Sequence, residues 1–210
     1  MKVLLVNGSS KKKGCTATAL AEVEQELNRE GIETVWFHVG SQTVRGCIGC
    51  EQCHKARKGE CVFGDEDGVN ELISLAEECD GFVFGSPVHF AALSGSITSL
   101  LDRVFYASSK SFYYKPAACL VSCRRAGSTA ALEQLLKYPS FARMPVVSSQ
   151  YWNMVHGNTP DEVRQDLEGL QIMRTLGRNM AWLLQCIQAG KKAGVSYPEQ
   201  EKRVATNFIR

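Results

Sequence analysis

Five short apolar runs alternate with five stretches of helical periodicity, and this alternation limits the fold more tightly than any other feature of the chain. The runs are Lys2–Val6, Thr34–Val39, Gly81–Gly85, Ala117–Ser122 and Pro145–Ser148. They are apolar along most of their length, as strands covered on both faces are. The helical stretches are Thr16–Glu30, Asp65–Asp80, Gly95–Tyr106, Ser128–Tyr138 and Thr159–Ala189. Leu20, Val23 and Leu27 line one face of the first; Ile97, Leu100, Leu101 and Val104 do the same in the third. In the last, Val163, Leu167, Leu170, Met173, Leu176 and Met180 recur every three or four residues. Gly31 stops the first helix, Ser128 caps the fourth, and Pro160 suits a first turn. Strands alternating with helices predict a doubly wound α/β domain with a parallel sheet and helices on both faces. Such sheets bind ligands at the carboxyl ends of the strands, where strand order reverses. The loops after the first, third and fourth strands are therefore where function is expected.

Composition narrows the classes. With 210 residues and 44% hydrophobic content, the chain holds enough apolar material for one core. A formal charge of +2 implies no strong field toward nucleic acid or a membrane. No apolar stretch reaches the length of a membrane span, and the first apolar run is too short for a signal peptide. Nine cysteines in such a chain point to a reducing, cytoplasmic compartment and to metal or redox roles. One domain is expected over residues 1–190, with 191–210 as a loosely ordered tail.

The loop after the first run reads Asn7-Gly8-Ser9-Ser10-Lys11-Lys12-Lys13-Gly14-Cys15-Thr16. It fits neither a Walker A loop nor a dinucleotide fingerprint, because the glycine spacing is wrong for both. A hydroxyl-rich loop that opens a helix suits a terminal phosphate monoester. Backbone N–H groups with Ser9, Ser10 and Thr16 would bind its oxygens, and Lys11 would add charge. The plainer alternative is a polar turn with Thr16 as a helix cap.

Cys47, Cys50, Cys53 and Cys61 form a C-x2-C-x2-C-x7-C window, with Gly46 and Gly49 giving the turn its freedom. Three thiols at a spacing of three suit an iron–sulfur cube. Zinc more naturally takes two separated pairs, and His54 would then replace one thiolate. A metal-free thiol loop is the third reading. Cys79, Cys119 and Cys186 fall in strand or helix patterns and read as buried small hydrophobes.

Taken together, these segments resemble the flavodoxin-like NAD(P)H-dependent FMN reductases. GSSKKKGCT is similar to their phosphate loop, GSPVHF (Gly85–Phe90) to their second flavin loop, and SITSLLDR (Ser96–Arg103) to the helix that follows. SCRRAG (Ser122–Gly127) stands at the third loop, and the cysteine string resembles that of the iron–sulfur flavoproteins. The resemblance implies a five-stranded sheet of order 2-1-3-4-5. It places Ser9, Ser10, Lys11, Cys15 and Thr16 around an FMN phosphate. Pro87, Val88, His89 and Phe90 would lie along the isoalloxazine ring, and Ser122, Cys123, Arg124 and Gly127 at its pyrimidine side. Asp102 and Arg103 would be structural or dimer contacts. Cys15 stands where the family often has asparagine, and His89 where it has tyrosine. Read for itself, SPVHF also fits a strand end with a proline brake. Trp152 and His156 would cover the flavin or anchor the last helix.

The resemblance implies hydride transfer from NADPH or NADH to flavin N5, then electrons to a small acceptor. That step needs positioning rather than a catalytic acid or base, so no catalytic side chain is named. A homodimer or homotetramer is expected. An electron carrier pairing FMN with a 4Fe-4S cluster on Cys47, Cys50, Cys53 and Cys61, and served by a ferredoxin-like protein, is an alternative. A non-enzymatic thiol or metal redox sensor is another.

Overall fold

The computed structural model describes residues 1–202, 204–206 and 208; positions 203, 207, 209 and 210 of the expected tail lie outside them. In chain order the elements are β1 (Lys2–Asn7), α1 (Cys15–Arg29), β2 (Glu33–His38), α2 (Gln52–Lys55), α3 (Val69–Glu78) and β3 (Gly81–His89). They continue with β4 (Ala92–Leu93), α4 (Gly95–Ser108), β5 (Ala117–Cys123), α5 (Ser128–Phe141), β6 (Met154–His156), α6 (Pro160–Gln165) and α7 (Leu167–Lys192). The parallel strands run β2-β1-β3-β5-β6, and β4 folds back antiparallel on the end of β3. Discounting that two-residue hairpin arm, the order is the expected 2-1-3-4-5.

Side chains of β1 alternate between two cores, as the period of a strand requires. Leu4 and Val6 pack with Phe82, Phe84, Leu101 and Val104 on the face covered by α3, α4 and α5. Val3 and Leu5 pack with Leu20, Val23, Leu176 and Met180 under α1 and α7. Both sets are fully buried, so β1 carries no polar residue between Val3 and Val6. Strand order reverses between β1 and β3, and their loops meet there. The Gly8 amide donates to the Gly85 carbonyl at 2.8 Å, and the Ser94 hydroxyl donates to the Gly8 carbonyl at 2.7 Å. A Cβ at Gly8 would lie 2.8 Å from that Gly85 oxygen, so only glycine allows the approach.

Four sequence expectations are corrected; one is the Ser128 cap, since Gly127 precedes α5 and no side chain among the described residues caps it. Pro145–Ser148 is not the fifth strand. It makes one bridge, Val146 to Ala117, through a bond from the Ala117 amide to the Pro145 carbonyl and another from Val147 back to Ala117. The chain then leaves the sheet over the polar Ser148–Gln150 and returns as β6 against Val121–Cys123. β3 does not stop at Ser86-Pro87 but pairs on with β5 through Pro87 opposite Ser122. The long last helix is two helices, broken at Asp166. Thr159 caps α6 through the Glu162 amide, and Asp166 caps α7 by accepting from the Gly169 amide at 2.9 Å. Beyond α7, Tyr197 of the tail stacks on Tyr114, ring centroids 5.0 Å apart.

Candidate functional site

At the switch point, the loops after β1, β3, β5 and β6 enclose one cavity of about 220 Å³. Ser9, Ser10, Lys11, Cys15 and Thr16 line it from the first loop. Pro87, Val88 and His89 line it from β3, and Ser122, Cys123 and Arg124 from β5. Of the residues placed here by sequence, only Phe90 and Gly127 do not reach it. They belong instead to its support. Phe90 and Ala91 form the two-residue turn of the β3–β4 hairpin, with φ of 51° and 58°. Such a turn matches strand twist but strains side chains that are not glycine. It turns Phe90 wholly into solvent, at 106% of its reference exposure. Gly127 sits beneath the hairpin at φ 85°, where a Cβ would lie 2.6 Å from the Ala91 Cα.

The first loop is shaped by its own side chains. Asn7 Oδ1 accepts from the Ser9 amide at 3.1 Å, and Ser9 Oγ accepts from the Lys11 amide at 3.1 Å. The residue before α1 is Gly14, and no side chain among the described residues caps that helix. Its first amides therefore face the cavity as a ready anion site. Thr16 is no cap: it is buried, and its hydroxyl shares a 2.8 Å hydrogen bond with Ser122 Oγ. That bond ties the phosphate-type loop to β5 across the sheet. The Cys15 thiol donates to the Gly157 carbonyl at 3.6 Å, and burial pushes its pKa up. Burial does the same to Cys123, so both thiols stay protonated near neutral pH.

Gly157 and Asn158, just past β6, complete the wall and were missed in the sequence. The expected strand Pro145–Ser148 ends eight residues before β6 does; the apolar Met154-Val155 pair before Gly157 is the usable signal. Trp152 neither lines the cavity nor anchors the last helix; it is exposed, edge-on to Tyr151. His156 is exposed, with Nδ1 3.7 Å from an Asp166 oxygen.

The cysteine window hangs between β2 and α3 as irregular chain with the single turn α2. Cys47 and Cys50 are exposed, Cys61 is half-buried, and Cys53 is buried. Burial pushes the Cys53 thiol up, and the neighbouring Cys61, Cys50 and Cys47 add to that. All four line one small hollow beside Arg103 and Tyr106. Its volume is about 20 Å³. Among the described residues no three His, Cys, Asp or Glu side chains are placed to hold a metal ion. The expected metal site is thus present as a donor set and absent as a formed site. The window is pinned at separate points: Arg103 Nη1 donates to the Arg45 carbonyl at 3.2 Å just before it, Cys53 packs into the core, and the far end of the window is held at Cys61. Arg103, buried on α4, donates from Nε and Nη2 to Cys61 Sγ at 3.3 and 3.2 Å and pairs with the buried Asp67. Asn70 holds the Cys61 backbone from both sides, accepting from its amide at 2.8 Å and donating to its carbonyl at 2.9 Å. Arg103 is therefore structural, as expected, while Asp102 accepts from the Tyr138 hydroxyl at 2.7 Å. Cys79 and Cys119 are buried as expected; Cys186 is exposed on α7.

Comparison with known proteins matches residues 1–159 to the family described as NADPH-dependent FMN reductase. An iron-sulfur flavoprotein of Methanocaldococcus jannaschii is 28% identical over 199 residues, 90% of this chain and 100% of that protein. Among solved structures, RosB with a bound 8-demethyl-8-formylriboflavin-5'-phosphate intermediate superposes with a TM-score of 0.68 at 17% identity. The match covers 100% of this chain and 94% of that one. A WrbA-like flavodoxin protein from Agrobacterium tumefaciens gives 0.61 at 12% identity, over 88% and 98%. At these identities the structures establish the flavodoxin-like fold. No helix of the described residues is long and apolar enough to cross a membrane.

Proposed function

The chain belongs to the NADPH-dependent FMN reductase family, and from that premise we propose an FMN-dependent oxidoreductase that takes hydride from NADPH or NADH and passes electrons to a small acceptor. The observation that carries the proposal is the convergence of three separate sequence loops on one cavity at the switch point of the sheet. The cradle fits FMN chemically. The uncapped start of α1, the hydroxyls of Ser9 and Ser10, and Lys11 supply donors and charge for a phosphate. Pro87 and Val88 offer an apolar edge for a flat ring, and the exposed Arg124 offers a cation for the carbonyl side of its pyrimidine. When bound, FMN supplies a ring that accepts hydride and releases electrons onward.

The chain's own task is then positioning. The Thr16–Ser122 bond fixes the phosphate end relative to the ring end, because it joins the first loop to β5. The Gly8–Gly85 contact fixes the first loop to the second. The protonated Cys15 and Cys123 add no charge that would repel the phosphate or the carbonyl edge. Residues 1–190 act as one flavin domain in this proposal, and the exposed Leu167, Trp182 and Trp152 support a homodimer or homotetramer.

The test is the visible spectrum of protein purified without oxygen, followed by titration with FMN and bleaching by NADPH. Lys11→Ala is expected to weaken FMN binding about tenfold, the loss of one charge-assisted contact. A colourless protein that takes up no added FMN would overturn the proposal. An electron carrier with a cluster on Cys47, Cys50, Cys53 and Cys61 is the second reading, favoured by four thiols sharing one hollow with a buried arginine. About four iron and matching acid-labile sulfide per chain would establish that reading; a flavoprotein without iron removes it.

A further inference from the structure

The three consecutive lysines of the first loop do not share a task. Lys11 lines the cavity described above, whereas Lys12 and Lys13 line a second and larger one. This second cavity measures about 620 Å³, within the range of small-molecule sites. It is built over the outer face of α1, with Trp36 and His38 of the edge strand β2 as one wall and α6 and α7 as another. Trp36 and His38 are two apart, so both point to the same side of β2. Ala17 and Ala21, one turn apart on α1, keep the floor low and apolar, and Leu170 extends it. The Trp36 ring is held in place, since its Nε1 donates to a Glu24 oxygen at 2.6 Å.

The charge around this apolar floor is lopsided. Lys12, Lys13 and Arg164 face it with a single acid, Glu22. Glu22 is already engaged by Arg174 at 2.5 Å, and Arg164 by Asp161 at 2.5 Å. The second, independent observation lies deeper. Asn7 lines the cavity, is only 1% exposed, and its Nδ2 finds no partner among the described residues. A buried amide donor without an acceptor is costly and marks a place for a missing one. His38 Nδ1 is likewise buried without a partner. Burial, reinforced by Lys12, keeps this imidazole below its usual pKa and hence neutral.

We propose that this second cavity binds a planar aromatic anion, with its ring against Trp36 and its charged group between Lys12 and Lys13 within reach of the Asn7 amide. Asn7 makes the site more than a separate pocket. Its Oδ1 holds the Ser9 amide in the phosphate-type loop, while its buried Nδ2, on a residue that lines the second cavity, has no partner among the described residues. An acceptor on Nδ2 fixes the amide plane and with it the loop, so the two ligands favour one another. By linkage, each raises the affinity for the other by the same factor.

The test is calorimetric titration of the full chain with naphthalene-2-sulfonate, with and without saturating FMN, and with naphthalene-2-methanol as the uncharged control. One sulfonate per FMN-loaded chain is expected, with the alcohol at least tenfold weaker. Trp36→Ala should weaken sulfonate binding at least tenfold, and the double variant Lys12→Gln/Lys13→Gln at least fivefold, with far-UV circular dichroism and FMN content unchanged. Saturating sulfonate should tighten FMN binding several-fold. Four results would overturn the proposal: no sulfonate bound, sulfonate that displaces FMN, equal binding by Trp36→Ala, or a change of sedimentation on Trp36→Ala. The last would show that a second copy of the chain covers this face.

Discussion

The flavin-type cavity and the cysteine window lie in the same domain and are built in opposite ways. The cavity is made of strand ends. Its walls leave β1, β3, β5 and β6, whose backbones are tied by the sheet ladder and by contacts such as Gly8 to Gly85. The window is made of irregular chain pinned at separate points, by Arg103 at the Arg45 carbonyl, by the buried Cys53 and by Arg103 and Asn70 at Cys61, while Cys47 and Cys50 stay in solvent. A site held by a sheet is formed before its ligand arrives. A site whose Cys47 and Cys50 are left unheld needs its ligand, or a partner, to close it. This explains why the first appears as a cavity and the second as a 20 Å³ hollow.

Arg103, which holds the window at Arg45 and at Cys61, is the place to break the comparison most severely. Arg103→Met would leave Asp67 buried without its counter-charge, and one Asp67 oxygen already lacks a partner. Removing one member of a buried pair costs about 3–5 kcal/mol. Urea denaturation should show that loss, and limited proteolysis should cut first within residues 46–64. The double variant Arg103→Met/Asp67→Asn should recover much of the stability, because both charges are gone. The window should still be cut faster than in the parent, because its anchor is gone; cleavage at the parental rate in the recovered double variant would show that Arg103 does not anchor it.

The same contrast governs what was legible in the sequence. Buried parallel strands and their helices read clearly, because periodicity and burial are local consequences of residue type. The cavity read well for a related reason: once strand ends are known, the switch point follows from topology. The misses arose where tertiary contacts decide. Pro145–Ser148 has the composition of a strand, yet it gains only one bridge, and the sheet bonds the less conspicuous Met154–His156. Phe90 reads as a ring-packing residue, but the hairpin turn and Gly127 aim it outward. Asp166 breaks an unbroken helical pattern because its carboxylate finds the Gly169 amide. The cysteine spacing states which atoms are available but not whether the loop brings them together, which is a property of packing.

A matched pair of substitutions sharpens the comparison at intermediate cost. Gly8→Ala puts a Cβ 2.8 Å from the Gly85 carbonyl oxygen and from Ile97, both held by the sheet and α4. Overpacking of this kind costs about 1–3 kcal/mol, and the displaced loop should lose FMN uptake. Gly46→Ala, in the window, meets no atom within 4 Å and should stay within about 0.5 kcal/mol of the parent. Equal effects in the two variants would mean that the regions are equally constrained. The measurements are thermal unfolding and fluorimetric FMN titration.

The smallest effect is expected from Cys50→Ser, and its smallness is informative. Cys50 is exposed and makes no hydrogen bond within the described residues, so its sulfur supports neither core. An exposed substitution of this size changes stability by less than about 0.5 kcal/mol. FMN content should also be unchanged, since Cys50 lies outside the flavin-type cavity. Cys119 is the control from the other region: it is wholly buried, and burial alone pushes its thiol far up. Iodoacetamide at pH 8 should therefore label Cys47 and Cys50 within minutes and leave Cys119 intact until the protein unfolds. If the window instead closes on a metal in the cell, protein isolated without oxygen should resist labelling at Cys47 and Cys50, and a chelator should restore their reactivity. Fast labelling in both preparations would place these two thiols outside any ligand shell and leave the window as a loop pinned at Arg45, Cys53 and Cys61.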